Sequence, residues 1–95
     1  MNFVTKASNF TRVSASGQTV LTSAPCVLAG IYVAGVTTAQ FVQLWHGTDS
    51  TTPIIGTCSM AANSFNELPA SLPDGLTYQV TNEEVDLTIF WSPLP

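Results

Sequence analysis

No window of this chain carries apolar residues at the i, i+3, i+4, i+7 spacing of an amphipathic helix. β-Branched and aromatic residues instead fall in short runs, interrupted by Gly, Pro, Asn, Asp or Ser about every 8–12 positions. That rhythm leaves an all-β fold. The runs cover residues 11–15, 18–23, 26–34, 40–46, 54–60, 63–68, 76–81 and 85–91. Ser16-Gly17, Ala24-Pro25, the polar stretch 46–53, Pro73-Asp74-Gly75 and Asn82-Glu83 separate them. Seven to eight short strands without helices close most readily as an antiparallel β-sandwich, jelly-roll-like in form.

Two runs carry most of the information. The segment Cys26-Val-Leu-Ala-Gly-Ile-Tyr-Val-Ala34 is apolar on both faces, as a central covered strand should be, and Gly30 within it marks a bulge or a close backbone approach. In the last run Val85, Leu87, Ile89 and Trp91 alternate with Asp86, Thr88 and Phe90, the signature of a half-buried antiparallel strand. Inward positions are also expected at Val20, Phe65, Val42 and Leu44. The organisation that follows is an N-terminal arm (1–9) anchored by Phe3, Val4 and Phe10, one β-sandwich domain (10–92) and a Pro-ended tail (93–95). The arm is either disordered or adds to a neighbour's sheet edge.

Charge narrows the function. The chain has two basic and six acidic residues, a net charge of −4, with thirteen Thr and nine Ser supplying neutral polarity. With only Lys6 and Arg12 basic, binding to nucleic acid or to an anionic membrane is not expected. At 45% hydrophobic residues the chain can fold. A surface so poor in charge is weakly protected against association, and a domain of 95 residues gains from an oligomeric interface. The start Met-Asn-Phe-Val-Thr-Lys lacks a basic region followed by an apolar one, so the chain is expected to be made and folded in a cytoplasm. Cys26 and Cys58 are then read as buried thiols rather than a disulfide.

Catalytic and metal chemistry find few ingredients. His46, Asp49 and Cys58 are the candidates for a nucleophilic site, but the first two fall in or beside a turn-rich loop and Cys58 in an apolar strand. Asp49, Asp74, Glu83, Glu84 and Asp86 lack the spacing of a calcium loop. No catalytic residue, cofactor or metal is therefore expected. The aromatics are more informative. If Val42 and Leu44 point inward, Phe41 and Trp45 point outward, and Phe90 has the outward phase of the last strand. Together with Tyr32 and Phe3 they are the candidate interface. Outward aromatics serve protein contacts or carbohydrate stacking, whereas a shifted strand phase would return them to the core.

The order of these segments resembles a family of small β-sandwich structural proteins from the virions of tailed bacteriophages. The resemblance spans roughly residues 10–91 and rests on Thr11-Arg-Val-Ser-Ala-Ser-Gly17, Leu28-Ala-Gly-Ile-Tyr-Val33, Val42-Gln-Leu-Trp-His-Gly-Thr48, Ile54-Ile-Gly-Thr57, Gly75-Leu-Thr77 and the alternating last strand. It departs from the family pattern at His46, where Asp or Asn is frequent, and at the Pro-ended tail. The resemblance implies a head-decoration or cement protein on the outer capsid surface. Its partner would be the major capsid protein and its oligomer a trimer. Neck, tail or fibre roles, and a small carbohydrate-binding module, are the alternatives.

Overall fold

The computed structural model describes residues 9–34, 39–82 and 84–94, all of them in strands or connections. Eight strands run in order: β1 (Asn9–Val13), β2 (Gly17–Thr22), β3 (Cys26–Val33), β4 (Gln40–His46), β5 (Pro53–Met60), β6 (Ser64–Leu72), β7 (Leu76–Val80) and β8 (Leu87–Pro93). They form two four-stranded antiparallel sheets, β1-β8-β3-β6 (sheet A) and β2-β7-β4-β5 (sheet B). The first strand pairs with the eighth, the second with the seventh, the third with the sixth and the fourth with the fifth. The chain is thus one long antiparallel hairpin wound around the molecule, its two halves meeting strand by strand. The shortest extent, 18 Å, is that of two stacked sheets.

Alternation builds the core. Val13, Leu28, Ile31, Val33, Leu72, Leu87 and Ile89 come from sheet A; Val42, Leu44, Met60, Leu76, Tyr78 and Val80 come from sheet B. In β3 the inward set would lapse after Leu28 if the strand were regular. A register shift between Leu28 and Gly30 inserts Ala29 against β8, so Leu28 and Ile31 both face the core while Gly30 turns outward. Gly30 also meets the second expectation: a Cβ there would lie 2.6 Å from the Asn66 carbonyl oxygen and 2.6 Å from the Phe65 ring.

Several sequence expectations are corrected. β6 does not stop at residue 68 but runs through Pro69 to Leu72. It is an edge strand paired only with β3, and an exposed edge tolerates a residue without an N–H. Phe65, expected inside, has the outward phase. Val20 also faces out: it is opposite Thr77, in the outward phase of Gln18 and Gln79, while Leu21 packs against the core. β8 extends to Pro93, which lies beyond the last described pair of β1 with β8, Asn9 with Trp91. Trp91 packs against the core with its Nε1 donating to Thr11 Oγ1 at 3.1 Å.

Two glycine-bearing turns fix the loop end of sheet B. Asp74-Gly75 joins β6 to β7 with Gly75 at φ +101°, where a Cβ would strike the Thr22 carbonyl. The β4–β5 loop docks against it: Gly47 N–H donates to Gly75 O at 2.9 Å and Thr77 Oγ1 donates to Gly47 O at 2.8 Å.

Candidate functional site: an aromatic outer face

The outward phase of sheet A gathers rings from four different strands. Phe10 on β1 is directly opposite Phe90 on β8, which is opposite Gly30 on β3. Tyr32 on β3 is opposite Phe65 on β6. The Phe65 ring lies over Gly30 and reaches Phe90 in an edge-to-face contact, centroids 6.1 Å apart and planes at 60°. A side chain at position 30 would lift Phe65 off this cluster. Phe10 is 71% exposed, Phe65 53% and Tyr32 39%, while Phe90 between them is half-buried. Large apolar side chains left this open are normally scattered; here they adjoin, and such patches mark contact surfaces.

The face carries little charge. Arg12, outward on β1, forms a two-pronged ion pair with Asp86: Nε to Oδ1 at 3.0 Å and Nη2 to Oδ2 at 3.1 Å. This hydrogen-bonded guanidinium holds the Asp86 carboxyl below the usual carboxylate range, and the carboxylate raises Arg12 in turn. Glu67 on β6 has the same outward phase. One carboxylate and one neutralised pair around four rings leave apolar contact as the main attraction the face can offer.

The sequence-derived interface residues do not form one group. Tyr32 and Phe90 belong to the sheet A cluster. Phe41 is 47% exposed but lies on the opposite, outer face of sheet B. Trp45 is corrected: it is 6% exposed, a buried residue and not an open contact. Its phase is as expected, opposite to Leu44. Its cross-strand neighbours are Thr77 and Pro53, and the β4–β5 loop is tied to Thr77 through the Gly47 carbonyl. Phe3 lies outside the described residues. Phe10 and Phe65 are the members that sequence reading missed. Each has a charged residue two positions on, Arg12 and Glu67, and a charge in the same phase marks the outward face.

The polar groups considered for chemistry are engaged elsewhere. His46 Nε2 accepts from the Asp74 backbone N–H at 3.2 Å and stands 3.6 Å from Asp74 Oδ2. Asp49 Oδ1 accepts from Thr51 N–H and Oγ1 in a loop turn. Both cysteines are free, and burial pushes each thiol's pKa up, away from a reactive thiolate. Among the described residues no three His, Cys, Asp or Glu side chains converge to hold a metal ion.

Fold and site together define a class: a small antiparallel β-sandwich whose most distinctive surface is an exposed aromatic sheet face. No protein-family model matches the chain, and no curated protein is significantly similar to it.

Proposed function

We propose that this chain is a non-enzymatic virion structural protein, a decoration or cement protein that seats the outer face of sheet A on the outside of a tailed-phage head. The observation that carries the reading is the adjoining of Phe10, Phe65, Tyr32 and Phe90 on one open face with little charge around them. The wound-hairpin pairing of two four-stranded sheets supports a jelly-roll-like reading, a form used in viral capsids, and the order of sequence motifs resembles virion proteins of this kind. Specific binding takes about 800 Å² per partner. A trimer seated on a shell multiplies such contacts by avidity, so modest affinity per copy stabilises a lattice. The major capsid protein is the partner, and the outer capsid surface the location.

Quantitative mass spectrometry of purified virions tests this. The expected result is a ratio to the major capsid protein near one or a simple fraction of it. A few to a few tens of copies per particle would move the chain to the neck, tail or fibres, and absence from particles would end the virion reading.

A further inference from the structure

The outer face of sheet B has a different chemistry from the aromatic face. Gln18 on β2 is opposite Gln79 on β7, which is opposite Gln43 on β4. Thr57 on β5 extends the row by donating from Oγ1 to Gln43 Oε1 at 3.2 Å. Three amides and a hydroxyl therefore cross all four strands in one line. Gln18 is exposed, and Gln43 and Gln79 are half-buried. On one side of the row, two residues along β4, stands the exposed ring of Phe41; on the other side lies Trp45. Asn82 holds the Phe41 end of β4 in place, accepting from Phe41 N–H at 2.7 Å and donating to Ala39 O at 2.9 Å. Among the described residues, the row and its flanks contain no charged side chain.

We infer that this strip binds a neutral polysaccharide. Each amide offers a donor and an acceptor side by side, which is what vicinal sugar hydroxyls require. Against a dry protein surface the same amides would lose water without replacement, an unfavourable exchange. A hydroxyl-rich chain replaces that water bond for bond. One step across the sheet, ~4.8 Å, is close to the length of one sugar unit, so successive units can meet successive strands. Phe41 presents a ring on which the C–H face of a sugar can stack. With no cation on the strip, an acidic polysaccharide has nothing to pair with.

The test is a titration of the full ¹⁵N-labelled chain with neutral oligosaccharides of glucose, mannose and galactose, and with polygalacturonate as the acidic control. At least one neutral sugar should move the side-chain NH₂ signals of Gln18, Gln43 and Gln79 saturably. Gln79→Ala should weaken that binding about tenfold, and Phe65→Ser, on the other sheet, should leave it unchanged. If Gln79→Ala fails to fold, Gln18→Ala on the exposed edge strand takes its place, with a loss of a few fold. The inference is overturned if no neutral sugar moves these signals, if the Gln→Ala variants bind as the parent does, or if the shifts gather on Phe10, Tyr32 and Phe65. The experiment needs no virion, so it stands or falls apart from the proposed capsid role.

Discussion

The two outer faces of this sandwich stand on the same core and obey the same alternation, yet they have opposite characters. Sheet A turns out Phe10, Tyr32, Phe65 and Phe90 around a glycine; sheet B turns out Gln18, Gln43, Gln79 and Thr57. The inward phase is under one demand, to fill the space between the sheets, and it is mainly apolar, with Gln40 the fully buried polar exception on β4. The outward phase is free of that demand, so its composition reports what each surface meets. An aromatic face loses little when water leaves it, whereas an amide face needs a partner that returns its hydrogen bonds.

The comparison is broken most severely at Trp45, the one large aromatic of the sheet B face that is closed from solvent. Trp45→Ala should cost about 3 kcal/mol or more in a denaturant melt, while Phe41→Ala on the same face should cost under about 1 kcal/mol. Equal losses would mean that Phe41 is packed like a core residue. Next in size is Gly30→Ala. The new methyl meets both a backbone oxygen and the Phe65 ring, so a loss of about 1–3 kcal/mol is expected, together with loss of near-ultraviolet signal from the displaced ring. A variant as stable as the parent would show that Phe65 does not depend on the glycine.

Phe10→Ser with Phe65→Ser sharpens the comparison from the other side. Removing two exposed rings, one of which contacts Phe90, should lower stability by only about 1 kcal/mol but abolish attachment to particles, read by co-sedimentation. Retained attachment would move the docking surface off sheet A. The same attachment in the parent should weaken less than about tenfold between low and moderate salt, because few charges take part; a steeper dependence would replace apolar contact with ion pairing. The smallest effect concerns Arg12 and Asp86. Asp86 has its carboxyl pKa lowered by the Arg12 hydrogen bonds. The pair's contribution is therefore present above the ordinary carboxylate pKa and is lost as pH falls through the lowered one. Between about pH 5 and pH 2 the parent should lose slightly more stability than Arg12→Gln. Parallel acid limbs would show that the pair adds nothing measurable at the surface.

Much of the fold was legible because its signals are local. Turn residues placed the connections, and alternation in residues 85–91 and the apolar run at 26–34 identified the two central strands of sheet A, which the structure pairs through Ile31 with Ile89. The misreadings arose where a strand's phase or length depends on a neighbour. Val20 takes the outward phase because pairing with β7 sets it opposite Thr77, and Pro69 sits within β6 because that strand is an edge. The site was less legible. Phe90 was recognised by phase and Tyr32 was named beside it without a phase argument, but Phe65 was assigned inward and Trp45 to an open outward contact. Phase states which side of a sheet a residue occupies, not how far that side is open to solvent.

The sequence by itself determined that the chain would be all-β, that its core would come from alternate residues, and that its surface would carry few charges. These follow from composition and from periodicity along the backbone, which each segment carries alone. Only the tertiary structure decided that β1, β8, β3 and β6 lie side by side and so bring Phe10, Phe90, Tyr32 and Phe65 together. It likewise decided that three glutamines far apart in the chain share one row. The reason is physical: strand pairing joins segments distant in sequence, and a surface property belongs to the set of neighbours rather than to any one strand.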